Sequence, residues 1–145
     1  MPRVGMMAQR MDALVNATIG EIGRKGSLDV TVGQIAKAAG VSSALAHHYF
    51  GSKDDLFLAA MRAILSEFGA EARRGLLAAQ DPKDRLGAIV RASFGGQNFL
   101  PEVVAAWLNF YVLACTHPKA ARLLNIYQRR LVSNLTHALR PLCDQ

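Results

Sequence analysis

TVGQIAKAAGVSSALAHHYFGSKDDL, from Thr31 to Leu56, decides the fold of this chain. It spells two short helices joined by a Gly-containing turn, with a third helix starting at once. That layout is a helix-turn-helix, which sets its second helix in the DNA major groove. Thr31 is placed to N-cap the first helix, and Gln34 stands at the capping-box position. Val32, Ile35, Ala36 and Ala39 share one helical stripe. Gly40 can take φ > 0 and end that helix. Val41 would fill the small core between the pair. Ser42 would cap the second helix, and Ala38, Ala39, Ala44 and Ala46 are small enough for a close crossing. Gly51 closes the second helix. Ser52 then caps the third, whose Asp54 and Asp55 suit its positive end.

On this reading the helix Ser42–Tyr49 makes base and phosphate contacts. Thr31, Ser42, Ser43, Ala44, His47, His48, Tyr49 and Lys53 form the expected DNA-binding set. Ser42 and Ser43 can hydrogen-bond phosphate or base edges. His47, His48 and Tyr49 are donors that can reach the backbone. Lys53, with the amides of the helix it opens, would clamp a phosphate. A plain alanine-rich hairpin with ordinary caps is the competing reading, and His48 and Phe50 taken singly read as packing residues. His47 and His48 make a poor metal site, since neighbours on a helix point about 100° apart.

AGVSSALAHHYFGSKDDL resembles the helix-turn-helix signature of the TetR family of bacterial repressors. The similarity runs from about Met7 to Met61. It implies an all-α, TetR-like fold in which Thr31 begins helix 2, Ser42–Tyr49 is the recognition helix and Lys53 starts helix 4. Ala44 stands where Gly is frequent in the family and His47 where an aromatic is frequent, which bears on DNA sequence preference.

Bulk properties agree with a polyanion partner. The chain has 145 residues, 17 Lys plus Arg against 11 Asp plus Glu, and a net charge of +6. Its pI is near 9.8. Such a balance suits nucleic acid, although many basic proteins bind none. Cys115 and Cys143 lie far apart and read as reduced thiols of a cytoplasmic protein. No apolar run approaches the ~18–20 residues that span a membrane, and the N-terminus does not read as a signal peptide. Arg3 and Arg10 could reach phosphates from a flexible arm, or belong to a solvated tail.

The remainder reads as helix. Met7–Lys25 carries Met11, Leu14, Val15, Thr18, Ile19 and Ile22 at helical spacing, and Gly26 ends it. A fourth helix runs from Lys53 to about Leu77, with Leu56, Phe57, Ala60, Met61, Ile64 and Phe68 on its inner face. Asp81-Pro82 starts a fifth, which Gly95-Gly96 stops. Pro101-Glu102 leads a very apolar helix to about Thr116, and Pro118 opens a last one that should end near Arg140, before Pro141. The expected division is a DNA-binding head over residues 1–52 and a helical ligand-sensing and dimerisation domain over 53–145.

Six of the ten aromatics fall between residues 94 and 127: Phe94, Phe99, Trp107, Phe110, Tyr111 and Tyr127. On the helix after Pro101, the spacing would project Val103, Trp107, Phe110, Tyr111 and Ala114 to one side. Each aromatic singly reads as core. Together the six could line a pocket between helices, and aromatic faces suit a cation. Glu102 could add a negative charge there, or simply favour the start of its helix.

AAWLNFYVLACTHPKAARLLNIYQRRLVSNL, from Ala105 to Leu135, is similar to the ligand-domain segment of BetI-type repressors, the TetR-family branch that controls glycine betaine synthesis from choline. Trp107–Phe110, His117-Pro118 and Arg129–Leu135 carry the similarity. It implies that choline is the inducer and weakens the grip on DNA. It also implies a homodimer on a near-palindromic double-stranded operator. Members of that branch continue into a further pair of helices that meets a second subunit. The chain therefore reads as a fragment, or as a shortened protein with another interface.

No G-rich phosphate loop, metal-ligand spacing or paired carboxylates point to an enzyme, and no cofactor or metal is expected. A helical protein–protein adaptor is the remaining alternative, as is a TetR-family regulator of another operon with a different apolar or cationic ligand.

Overall fold

Helix α1 (Pro2–Lys25) buries Leu14, Thr18 and Ile22 on one stripe. Thr18 is tolerated there because its Oγ1 donates to the Leu14 carbonyl at 2.7 Å, which satisfies the hydroxyl within its own helix. The computed structural model describes residues 2–144, with side-chain surroundings from residue 5 onward. Arg3 therefore lies outside the described side chains. Arg10 is exposed on helix rather than on a flexible arm. Pro2 suits the first turn, where its missing N–H would have no partner, and no strong breaker follows before Gly26.

Helices α2 (Val32–Ala39) and α3 (Ser43–Phe50) follow, and each of their signals is local. Thr31 and Gln34 form the full capping box: Thr31 Oγ1 accepts from the Gln34 N–H at 3.1 Å, and Gln34 Oε1 accepts from the Thr31 N–H at 2.9 Å. Gly40 takes φ +71°, and the Val41 N–H donates back to the Ala36 carbonyl at 3.0 Å. A side chain with Cβ is disfavoured in that left-handed turn, which is why glycine stands there.

Helix α4 (Lys53–Ala78) is capped by Ser52, α5 (Pro82–Phe94) by Asp81. A short 3-10 turn, Gly96–Phe99, was not foreseen from the sequence. Helices α6 (Pro101–Thr116) and α7 (Pro118–Cys143) complete the chain. Helix α7 passes through Pro141 instead of stopping before it. So near the helix end the proline forfeits one backbone bond, and its fixed φ is itself helical. No strand is present among the described residues.

One apolar cluster joins the two halves of the chain. Leu14, Ile22, Ile35, Ala46, Leu56 and Met61 share it with Ala106, Phe110 and Leu113 of α6. Helix α6 thus packs along α1, while α4 runs from the helix-turn-helix into the second half. No helix of the described residues is long and apolar enough to cross a membrane.

Candidate nucleic-acid interface and ligand cavity

Helix α3 turns one face inward and the rest outward. Ala46 is fully buried, while Ser42, Ser43, Ala44, His47 and His48 are exposed. Ser42 Oγ accepts from the Leu45 N–H at 3.1 Å, so its hydroxyl proton remains available to an acceptor. The Oγ atoms of Thr31 and Ser43 both flank Gly33, which sets the start of α2 beside the start of α3. His47 Nδ1 lies 3.3 Å from the Gly51 carbonyl, tying that ring to the helix end. Tyr49 is part-buried against the core, with its ring 5.8 Å from that of His48. Lys53 follows Ser52, which accepts from the Asp55 N–H at 3.1 Å and donates to Asp55 Oδ2 at 2.8 Å. The Lys53 ammonium sits 5.5 Å from the Phe57 ring centre. The structure thus gathers the eight expected residues around α3 and its two flanking turns, where exposed hydroxyls, imidazoles and one ammonium could meet phosphates and base edges.

A cavity of about 210 Å³ opens between α4, α5, the 3-10 turn, α6 and α7. Ile64, Leu65 and Phe68 of α4 form one wall, with Val103, Val104, Trp107 and Leu108 of α6 opposite. Phe94, Phe99, Asn98 and Tyr127 complete it, with Ser93. Its size is below the roughly 300–1,000 Å³ of drug-sized sites and suits a small molecule. The aromatic walls brace one another edge to face. Phe68 and Tyr127 lie 5.1 Å apart, Trp107 and Tyr127 5.7 Å, and Phe94 and Phe99 5.7 Å. Burial pushes the Tyr127 hydroxyl above the usual tyrosine range, and Tyr111 adds to the push.

Four of the six expected ligand residues line this cavity: Phe94, Phe99, Trp107 and Tyr127. The other two do not. Phe110 is fully buried on the α1-facing side of α6, where it joins Ala106 and Leu113 in the core cluster. Tyr111 stands behind Trp107, ring centres 5.4 Å apart, and faces partly to solvent. The single stripe expected on α6 is split because that helix is apolar around most of its circumference and has two buried sides. Phe68 is the aromatic that the ligand reading lacked; its i, i+4 spacing from Ile64 was visible, but only as an inner face. Glu102 is exposed at the start of α6, its backbone against Gly23 of α1, and does not line the cavity.

A larger, open groove of about 1060 Å³ adjoins the cavity between α4, α5 and α7, sharing Leu65, Phe68 and Tyr127 with it. Arg62, Arg73, Arg85 and Arg130 line it, with no carboxylate among its lining residues. That charge would repel a cation, so the aromatic cavity is the better candidate for one.

Comparison with known proteins covers both halves of the chain. Residues 14–60 match the bacterial regulatory proteins of the TetR family, and residues 82–145 match the C-terminal domain of BetI-type transcriptional repressors. The HTH-type transcriptional regulator BetI of Brucella anthropi is 50% identical over the whole chain, which spans 75% of that relative. The BetI of Agrobacterium fabrum is 50% identical over 99% of the chain and 69% of its own length. Among solved structures, a transcriptional regulator of Pseudomonas aeruginosa PAO1 superposes with a TM-score of 0.81 at 26% identity, covering 94% of this chain and 66% of that one. A protein of Saccharomonospora viridis, described as a transcriptional regulator and solved in complex with choline, gives a TM-score of 0.83 at 23% identity, over 92% of this chain and 69% of its own. These relatives are regulators of transcription and not enzymes. With an exposed recognition helix at one end and an aromatic cavity at the other, the chain belongs to the TetR family of bacterial DNA-binding transcriptional regulators, in its BetI-type branch.

Proposed function

We propose that this regulator represses genes for glycine betaine synthesis in the cytoplasm, and that choline relieves the repression. In this reading residues 1–52 grip DNA and residues 53–145 sense the ligand and pair two subunits. A homodimer would present two α3 helices to half-sites one helical turn apart, roughly 34–36 Å along the duplex. Thr31, Ser42, Ser43, Ala44, His47, His48, Tyr49 and Lys53 would make the DNA contacts.

The observation that carries the reading is that two helices reach both sites. Helix α4 starts at Lys53, in the proposed DNA face, and carries Ile64, Leu65 and Phe68 at the cavity. Eleven residues of helix at about 1.5 Å each separate Lys53 from Ile64. Helix α6 holds Trp107 at the cavity and Glu102 against α1. At its far end, His117 Nε2 lies 3.7 Å from Asp54 Oδ2, next to Lys53. A ligand among the aromatics would therefore bear on both supports of the head. It can shift them only by binding the released arrangement better than the DNA-bound one. The choline-bound relative from Saccharomonospora viridis supports choline as the first ligand to test.

The test is a mobility shift on an operator selected from random duplexes, followed by a choline titration of the complex. Choline should release the operator and give heat on calorimetry with the protein alone. An operator complex indifferent to choline would overturn the choline reading. No selected operator at all would overturn the DNA-binding assignment.

A further inference from the structure

We infer that Glu71 is the charge-selecting residue of the aromatic cavity, held in place by Asn98. This rests on the reading of the cavity as a site for a small cation. Ile64, Phe68 and Glu71 fall at i, i+4 and i+7 on α4; Ile64 and Phe68 line the cavity, and Glu71 stands just behind the lining, reaching it through Asn98. Its Oε2 accepts a hydrogen bond from Asn98 Nδ2 at 2.7 Å, and Asn98 lines the cavity. The same nitrogen donates to the Ala92 carbonyl at 3.1 Å. Both partners are acceptors, which fixes the amide orientation and leaves the Asn98 carbonyl oxygen as the acceptor of this lining residue.

Glu71 is part-buried, and among the described residues no Lys, Arg or His forms an ion pair with it. The arginines of the neighbouring groove are Arg62 and Arg73 on α4, Arg85 on α5 and Arg130 on α7, and none of them lines the cavity. The one hydrogen-bond donor to Glu71 is a neutral amide, which leaves the carboxylate open to pair with an arriving cation. Trp107, Tyr127 and Phe68 offer π faces to the apolar shell of an ammonium, while the carboxylate answers its charge. The ligand class that fits is a small hydroxylated ammonium, its hydroxyl directed to Asn98.

Trp107 is the single tryptophan of the chain and lines the cavity, so its fluorescence reports occupancy. The probes are choline and its neutral carbon isostere, 3,3-dimethyl-1-butanol. Wild type should bind choline at least tenfold more tightly than the isostere. Glu71→Gln, which keeps the acceptor for Asn98, should cut the ratio roughly fivefold or more without changing isostere affinity, the π faces keeping the remainder; Glu71→Ala should do the same. A choline preference unchanged in both variants overturns the inference while leaving the cation site standing. Equal loss of both probes also overturns it, since that marks a structural role. Wild type that binds choline no better than the isostere removes the cation reading itself, and Glu71 with it.

Discussion

Gly23 of α1 and Glu102 of α6 touch backbone to backbone: a Cβ at position 23 would lie 2.8 Å from the Glu102 Cα and closer still to its carbonyl oxygen. Both partners are main chain on packed helices, so neither can swing aside. Gly23→Ala should therefore force the two helices apart and cost about 1–3 kcal/mol, the range for overpacking. Gly69 in α4 gives the opposite sign. It is exposed, with nothing within 4 Å of an added Cβ. Gly69→Ala should stabilise by about 0.5–1 kcal/mol through helix propensity. Thermal melts of the two variants check this, and a melt raised by Gly23→Ala would refute the close contact.

The phosphate-clamp assignment separates affinity from preference. Lys53→Ala should weaken binding to every operator alike and lower the slope of log affinity against log salt by about 1, as loss of one phosphate contact requires. Tyr49→Ala should also lower affinity across operators. Changes at Ser43, at the exposed start of α3, should instead reorder operators. Competition assays over a panel of duplexes at several salt concentrations read both effects. Unaltered binding by the Lys53 and Tyr49 variants together would remove the clamp.

Two aromatics of the second half should respond in opposite ways. Phe110 is fully buried in the cluster that joins α6 to α1. Phe110→Ala should cost about 3–5 kcal/mol, as emptying a core phenyl does. Phe94 is 66% exposed at the cavity rim, packed edge to face on Phe99. Phe94→Ala should leave the melt within about 0.5 kcal/mol of wild type, as surface changes do, yet weaken choline binding. Denaturation and Trp107 fluorescence measured on the same samples separate the two outcomes.

Helix boundaries were legible where the deciding chemistry is local. The caps at Thr31, Ser42, Ser52 and Asp81 depend only on residues three positions on, and Gly40 ends α2 by its own φ. The exposed face of α3 was legible for the same reason, since an eight-residue helix with Ala46 inward has its remaining faces outward. The cavity was legible only in part. Helix α6 is apolar on nearly every side, so periodicity alone does not say whether Phe110 or Trp107 faces α7. Asn98 meets Glu71 across 27 positions of sequence, through a 3-10 turn that carries no strong local signal. The Gly23–Glu102 contact is likewise a matter of packing between helices distant in sequence.

The half-buried Tyr127 makes an alkaline prediction. Its pKa is raised, first by burial and then by Tyr111. The neutral phenol is therefore favoured in the folded chain. Below the unfolded value near 10, folded and unfolded chains both hold the proton and the contribution to stability is complete. As pH rises past that value the unfolded chain releases its proton first, so stability falls until the higher folded pKa is passed. An ultraviolet titration of the three tyrosines should show one tyrosinate forming late, and Tyr127→Phe should abolish that phase. The same variant should lose stability less steeply than wild type above about pH 10. Loss of an early-titrating tyrosine instead would mean that Tyr127 is open to water, and that the Phe68–Tyr127–Trp107 wall does not close as described.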